Sequence, residues 1–306
     1  MLFAGTIADV DWLSALFGPA AYFAWRRTFT HSVIGTVAVI ILSAFFVRYL
    51  GKKLQPESLP FVLLPLAIAA LLHVVLDCLQ SEGVALFSPF TPKRYAADCL
   101  PTVDLGIIAL LLGGILIPEL LRLVTSEIGV KDRRPRGRNG ALIALVLIAA
   151  YIGLRVLLHA GSVASLDPHS YKAESARRVA AFPDTLSPFK WHGIVETQSF
   201  LCQALVPAGF GKSFDPESAV CLHKPEPSPE LDAAQKTDVA REYLQVMPFP
   251  RAIVARTQDG YEIVILSMRD EAEQEISDRV AARIDLHPRF GVSNEEFVWR
   301  KEVRVR

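Results

Sequence analysis

The chain has 306 residues, and its 32 basic and 32 acidic side chains cancel, so no global charge directs it towards nucleic acid. Hydrophobic residues make up 51% of the chain and the mean hydropathy is +0.32, both high for a soluble protein. The long apolar runs lie within residues 1–160, whereas residues 161–306 are polar and proline-rich. This distribution predicts a membrane half followed by a soluble half.

The first apolar segment, residues 1–25, differs from an ordinary transmembrane helix. Asp9, Asp11, Gly18 and Pro19 interrupt it, which predicts a broken or re-entrant helix. It lacks the basic start and small-residue cleavage pattern of a signal peptide, so it is expected in the mature protein. Two carboxylates two residues apart cannot share one helical face, but they can converge on a cation from an irregular turn.

The stretch RRTFTHS, residues 26–32, opens the next apolar segment. Alone it is explained as an ordinary helix start, with Thr30 or Ser32 as its cap. The two arginines are either headgroup anchors or cations that neutralise an anionic substrate. His31 lies at the mouth of the predicted helix, where free backbone N–H groups also favour an anion.

Four further segments approach the length of about 20 apolar residues that a helix needs to cross a bilayer core. They are 33–50, 59–80, 103–123 and 140–158. Together with the first segment they predict an α-helical transmembrane bundle of four to five apolar segments. Arg155 lies near the end of the last segment and is expected to snorkel to the membrane surface.

His73 and Asp77 are the unusual residues of the segment 59–80. Residues four apart share one face of a helix, and an ionisable residue in a membrane helix usually faces a bundle interior or a water-filled cavity. Imidazole and carboxylate together suit Zn or Mn. The alternative is that Asp77 merely orients His73 at a wetted membrane interface. Because His31 is expected at the same membrane face, the three residues predict a single site.

Basic residues are concentrated in two short loops. The loop 48–57 holds three and the loop 122–139 holds six, against four in the short segments of the other side. The positive-inside rule places these two loops in the cytoplasm. The proposed site and the whole C-terminal half then lie outside.

The C-terminal half predicts a small soluble α/β or mainly β domain, residues 161–306. Strand patterns occur at 192–206, 251–257, 260–268 and 295–305, a helical pattern occurs at 230–247, and a linker containing Pro168, Pro183 and Pro188 precedes them. Asp259 and Gly260 indicate a hairpin turn between two strands. On the outer side, Cys202 and Cys221 are a plausible disulfide pair.

The order of the motifs is similar to that of a known family. An acidic DxD in a first apolar segment, then RxxTHS, then HxxxDxxxxxG and a Pro-Phe pair resembles the bacterial membrane-bound metal-dependent hydrolases. These are also described as LexA-binding, inner-membrane-associated or YdjM-like. The matching residues are Asp9, Asp11, Arg27, Thr30, His31, Ser32, His73, Asp77, Gly83, Pro89 and Phe90. The stretches SPFKWHGIVET and YEIVILSMRD further resemble the subgroup with an extra C-terminal domain.

The resemblance implies a metal-dependent hydrolase of the bacterial inner membrane, and the apolar segments and basic loops add the expectation of a multi-pass protein with its C-terminal domain outside. On this interpretation a divalent ion, Zn or Mn, is held by His31, His73 and Asp77, and Asp9 or Asp11 completes or bridges the site. Arg27 is then a catalytic cation for a phosphoester or lipid-linked substrate in the bilayer. Members of that family begin with a further helix carrying a T-H motif before the DxD, so either the start of this chain is misassigned or a ligand is missing, and the predicted topology fits a lost leading helix.

A second class of function fits the same residues. The protein would then catalyse nothing, its histidines and aspartates would form a structural metal clamp, and the C-terminal domain would bind a partner or lipid. Structural metal sites are closed, whereas catalytic sites keep a position open for water. Exposure of the site is therefore the feature that separates the two interpretations.

Overall fold

The first described segment of the chain is helical but broken. A computed structural model describes residues 7–50, 59–127, 137–209, 213–269 and 279–303. A 3-10 helix spans Ile7–Phe17, and α1 spans Pro19–Trp25. Gly18 separates them with a φ of 101°, a conformation that glycine adopts without steric cost. The predicted interruption of this segment is therefore present.

Four long helices complete the first half of the chain: α2 (Val33–Leu50), α3 (Leu59–Cys78), α4 (Leu105–Glu127) and α5 (Gly137–Leu166). Helix α2 packs against α3, and α4 packs against α5. A Cβ at Gly114 would lie only 2.5 Å from the Cβ of Ala144, so the α4–α5 backbones approach closely through small residues. This packing is common between membrane helices.

The helices expose large apolar side chains, such as Ile115 at 68% and Val146 at 67%. Among the described residues, one helix, Asn139–Leu166, is long and apolar enough by composition to cross a membrane. Shorter apolar helices lie at Val33–Tyr49, Leu63–Cys78 and Leu105–Leu120. The structure thus has a helical first half, while the number of four to five spans stays a prediction.

The second half is built mainly from antiparallel strands. They are β1 (Ser170–Tyr171), β2 (Glu174–Ser175), β3 (Arg178–Pro183), β4 (Lys190–Glu196), β5 (Phe200–Pro207), β6 (Val220–His223), β7 (Pro250–Arg256), β8 (Tyr261–Ser267), β9 (Val280–Leu286) and β10 (Val292–Trp299). One four-stranded sheet has the order β3-β4-β5-β6 and the other has the order β10-β9-β8-β7. Helices α6 (Pro229–Gln235) and α7 (Asp238–Val246) lie between the sheets in sequence.

The first sheet packs directly on α5. Leu166 at the end of α5 is fully buried with Trp191 and Val195 of β4. The helix therefore continues beyond the predicted domain boundary at residue 160. The prediction of a proline-containing linker before the strands is wrong. Strand β1 follows α5 closely, and Pro183 is the last residue of β3.

Arg155 is also placed differently from the prediction. Its side chain is 1% exposed and pairs with Asp104 at 3.5 Å, so it does not snorkel to the membrane surface. The guanidinium lies 5.1 Å from the ring centroid of Trp191, within cation–π distance. Arg155 thus joins α5, the start of α4 and the first sheet.

The second sheet packs on helices from both halves of the chain. Its core contains Ile263 and Ile284 together with Tyr243 of α7. Phe23 of α1 enters this core, with ring centroids 5.7 Å from Tyr243 and 4.5 Å from Phe297. The short helix beside the DxD segment is therefore held by the C-terminal domain.

The detailed strand predictions are partly wrong. The pattern 192–206 forms two strands, because Thr197 makes a turn with Phe200 and reverses the chain. The predicted helix 230–247 is divided, since the Thr237 hydroxyl caps a new helix by accepting from the Ala240 N–H. The hairpin at Gly260 is confirmed as the β7–β8 connection.

Cys202 and Cys221 form a disulfide between directly opposed positions of β5 and β6. Cys78 and Cys99 carry free thiols. The disulfide links the edge strand β6 to its neighbour β5 in the first sheet. The pair that the sequence analysis considered plausible is present in the structure.

Candidate metal centre

The site is assembled from three segments that are far apart in sequence. Asp9 and Asp11 project from the 3-10 helix, and His31 lies just before α2. His73 and Asp77 occupy the last turns of α3, one helical turn apart. Helix termini and a short 3-10 helix thus bring all five side chains to one end of the helical half.

The start of α2 fixes the position of His31. Ser32 caps the helix, because its Oγ accepts a hydrogen bond of 3.0 Å from the Gly35 N–H. A Cβ at Gly35 would collide with the carbonyl oxygen of Phe29, so only glycine lets the preceding turn fold against the helix. Thr30 does not cap α2 but donates to Asp11 at 3.1 Å.

Four side chains bring one donor atom each to within 4.8 Å of one another: Asp9, His31, His73 and Asp77. His31 Nε2 lies 3.3 Å from His73 Nε2 and 3.1 Å from Asp77 Oδ2. His73 Nε2 lies 3.4 Å from Asp77 Oδ2 and 3.6 Å from Asp9 Oδ2. The structure therefore brings together the three predicted metal ligands, and of the two aspartates expected to complete the site it places Asp9 among them. This cluster can hold a metal ion.

The chemistry of the donors fits a divalent transition metal. Asp77 Oδ2 is buried and has no hydrogen-bond partner among the described residues, although two imidazole nitrogens face it. A buried carboxylate oxygen without a partner is costly, and a cation between it and the imidazoles would remove that cost. Two imidazoles and two carboxylates suit Zn or Mn.

One side of the cluster is open. The Asp9 side chain is 45% exposed and His73 is 18% exposed, whereas His31 is fully buried. Water and a substrate group can therefore approach from the side of Asp9. An open side is a property of catalytic metal sites rather than of structural ones.

Asp11 lies behind His31 rather than among the four donors. Its Oδ2 is 3.1 Å from His31 Nδ1 and also accepts a 2.7 Å hydrogen bond from the Arg27 backbone N–H. A carboxylate on Nδ1 keeps the proton there and leaves the lone pair of Nε2 for a metal. Asp11 is thus placed to orient His31 and to fix its tautomer.

Arg27 lies behind Asp77. Its Nη2 donates to Gln80 Oε1 at 2.6 Å and is 3.5 Å from Asp77 Oδ1, and its Nε is 3.3 Å from Glu82 Oε2. The side chain is only 3% exposed. The backbone of Arg27 has a φ of 52°, a left-handed conformation that is uncommon outside glycine. This conformation lets the N–H face Asp11 while the side chain faces Asp77.

Arg26 points to the more accessible side of the cluster. Its Nη1 lies 3.1 Å from Asp11 Oδ1 and 3.6 Å from Asp9 Oδ1, and its Nη2 lies 3.9 Å from Glu82. With 12% of its side chain exposed, Arg26 is more accessible than Arg27. It is the guanidinium that contacts the half-exposed Asp9.

The electrostatic environment of His31 is set by the surrounding carboxylates. Burial alone would lower the pKa of His31, but the neighbouring carboxylates of Asp11, Asp77 and Asp9 outweigh burial and raise it to about 10. The carboxylates thus stabilise a positive charge at this position. A divalent cation is another way to supply that charge.

The loop after α3 returns to the site through Gly83. This residue has a φ of 65°, and a Cβ there would lie 2.9 Å from the Tyr95 carbonyl oxygen. Val84 and Tyr95 form an antiparallel bridge beside it. Phe90, which follows the cis bond between Ser88 and Pro89, is 82% exposed.

Three residues near the site were not identified from the sequence. Gln80 and Glu82 contact Arg27, and their position just before Gly83 of the motif was the available signal. Arg269 donates to the Ser81 carbonyl oxygen from a position 188 residues away, and no local sequence pattern indicates that contact.

Comparison with known proteins identifies a family. The model of the family described as YdjM inner membrane protein matches residues 1–162, which include all four donors of the cluster. No curated protein and no solved structure matches the chain.

Proposed function

The chain belongs to the YdjM inner membrane protein family, and from this premise we propose that it is a metal-dependent hydrolase acting at the outer face of the inner membrane. The sheet-rich second half is the extra C-terminal domain of such a protein. The observation that carries the proposal is the convergence of Asp9, His31, His73 and Asp77, with one side open.

Each residue has a proposed role that follows from its contacts. His31, His73, Asp77 and Asp9 hold a divalent ion, Zn or Mn, and Asp11 orients His31. A divalent ion at these donors would supply Lewis acidity towards water and a phosphoryl or acyl oxygen. The half-exposed Asp9 is the donor nearest to an arriving substrate.

The two arginines, which the sequence analysis considered together as cations for an anionic substrate, have different proposed roles. Arg27 is buried against Asp77 and Glu82, so we assign it to holding Asp77 in place. Arg26 faces Asp9 and is more accessible, so we assign it to neutralising an anionic group of the substrate.

Exposed aromatic side chains on the segments that carry the site support a lipid-linked substrate. Trp12 is 49% exposed on the 3-10 helix that carries Asp9, Phe29 is 53% exposed beside His31, and Phe87 is 50% exposed in the loop after α3. Aromatic side chains of this kind are common at membrane–water interfaces. A phosphoester whose apolar part stays in the bilayer fits this surface best.

The proposed topology is multi-pass, with the basic loops 48–57 and 122–139 in the cytoplasm. The metal centre and the C-terminal domain then lie outside. The Cys202–Cys221 disulfide supports this orientation, because disulfides persist in the bacterial periplasm and are rare in the cytosol.

Metal analysis of the detergent-purified full-length protein tests the proposal. Wild type is expected to retain a stoichiometric divalent ion and to release phosphate from a panel of anionic lipids. His73→Ala is expected to lose both properties, whereas His287→Ala, at an exposed histidine after β9, keeps them.

The outcomes separate the two classes of function. Full metal content in His73→Ala would refute the metal centre. A wild type that holds metal, releases nothing from any lipid and unfolds when the metal is removed would support the structural clamp of a non-catalytic protein instead.

A further inference from the structure

The C-terminal domain reaches the metal centre through Arg269. This residue follows β8, is 6% exposed, and its Nη1 donates a 2.8 Å hydrogen bond to the Ser81 carbonyl oxygen. Ser81 is itself buried and lies in the loop that directly follows α3. A buried guanidinium from the second half of the chain thus holds the loop that leaves the metal-binding helix.

A continuous series of polar contacts leads from that loop to a metal donor. Glu82, the next residue after Ser81, lies 3.3 Å from Arg27 Nε. Arg27 Nη2 in turn lies 3.5 Å from Asp77 Oδ1. The other carboxylate oxygen, Asp77 Oδ2, is the one that faces both histidines.

The charges of this series reinforce its geometry. Burial alone would raise the pKa of Glu82, but Arg27, Arg26, Arg269 and Arg279 outweigh it and lower the pKa to about 2. Glu82 therefore stays ionised between guanidiniums of both halves. A planar guanidinium can hold a carbonyl oxygen and keep its charge beside a carboxylate at the same time.

The C-terminal domain also holds the other side of the Arg26–Arg27 turn. Phe23 of α1 is stacked between Tyr243 and Phe297 of that domain. Arg94 donates to the Arg26 carbonyl oxygen at 3.0 Å. The turn that presents both arginines is thus fixed from two directions.

We propose that Arg269 is a positioning residue of the metal centre, acting through the Ser81–Glu82 loop and Arg27 on Asp77. The inference rests on the proposed function, since it assumes that Asp77 binds a metal. It assigns to the C-terminal domain a direct part in the affinity of a site whose donors all lie in the first half of the chain.

The test compares Arg269→Gln, Arg269→Lys and Arg283→Gln in the full-length protein. Arg283 is the matched control, because it pairs with Glu262 at 3.0 Å within the same sheet. Zinc affinity is measured by competition with a chromogenic chelator in detergent. Hydrogen exchange of residues 79–86, followed by mass spectrometry without metal, gives a second readout.

Arg269→Gln is expected to raise the zinc dissociation constant about 10-fold, the lower end of the effect of removing outer partners of metal ligands. It is also expected to speed exchange in residues 79–86. Arg269→Lys, which keeps the charge and one donor, should recover most of the affinity. Combining Arg269→Gln with Glu82→Gln should give less than the sum of the two effects, because both act on one series of contacts.

Zinc affinity and exchange that are unchanged in Arg269→Gln would overturn the inference. The inference would also be overturned if Arg283→Gln weakened zinc binding as much as Arg269→Gln, since both losses of affinity would then reflect a general loss of stability. Absence of zinc binding by wild type would instead refute the proposed function, and the exchange data would still report whether Arg269 holds the loop.

Discussion

Replacing Asp11 by asparagine separates the roles of the two DxD carboxylates. The structure places Asp9 among the four candidate metal donors and Asp11 behind His31. In Asp11→Asn the amide oxygen can take the position of Oδ2, where it accepts from the Arg27 N–H and faces His31 Nδ1. The tautomer of His31 is then kept, and what is lost is the negative charge.

The size of the effect follows from the distance between that charge and the ion. Asp11 Oδ2 lies 3.1 Å from His31 Nδ1, and the ring and a metal–nitrogen bond place it about 7 Å from an ion on Nε2. At an effective dielectric constant of about 20, this corresponds to about 2 kcal/mol per unit of ionic charge. Relaxation of Arg26 moderates the loss. We expect the zinc dissociation constant to rise roughly 10- to 100-fold, as for other partners of metal-ligating histidines.

Chelator competition measures the zinc dissociation constant of purified Asp11→Asn. The same measurement is made on Asp9→Asn and on the control Asp259→Asn. Asp9→Asn removes a donor and should weaken zinc binding at least as much, while Asp259 lies in the exposed β7–β8 turn and should have no effect. The assigned roles would be refuted if Asp11→Asn bound zinc as tightly as wild type. They would also be refuted if Asp9→Asn bound zinc as tightly as wild type while Asp11→Asn bound none.

Four further predictions concern the site and its supports. Asp77→Asn should fold normally yet lose more zinc affinity than Asp11→Asn, as metal content and thermal unfolding would show, because it removes an anionic donor. Arg155→Met should lower the free energy of unfolding by about 3 kcal/mol, since it leaves buried Asp104 without its cation; an unchanged thermal midpoint would contradict this. Because the folded pKa of Glu82 is about 2 and its ordinary value is 4.5, its contribution is full above pH 4.5 and lost as the pH falls towards 2. Acid unfolding of Glu82→Gln should therefore be less steep than that of wild type. Cys202→Ser should cost about 3 kcal/mol, since the disulfide closes a loop with a sequence separation of 19, and chemical denaturation would measure it.

The sequence predicted the parts of the site that depend on local spacing. His73 and Asp77 share a helical face because they lie four residues apart, and the RxxTHS pattern placed His31 at the start of the preceding apolar helix. The different roles of Asp9 and Asp11 could not be predicted. In a 3-10 helix, with three residues per turn, positions two apart point in different directions. One carboxylate therefore faces the open side, and the other faces the interior.

The features that the sequence did not predict depend on contacts between residues that are distant in sequence. Strand β9 was not predicted, and its identity is set by pairing with β8 and β10. The contact between Arg269 and Ser81 joins positions 188 residues apart, beside the packing of α1 on the second sheet, and it depends on tertiary structure rather than local pattern. Local pattern therefore identifies the donors, whereas tertiary packing selects the residues that hold them.

The continuity of α5 has a mechanical consequence. The helix runs without interruption from Gly137 to Leu166, and its last residue is sealed into the core of the first sheet. A domain attached in this way cannot swivel on a flexible tether. Any force or partner that tilts the first sheet must also tilt α5, and any change that tilts α5 must move the first sheet. Helix α5 and the first sheet therefore move as one body, and the Arg155 contacts with Asp104 and Trp191 join the start of α4 to it.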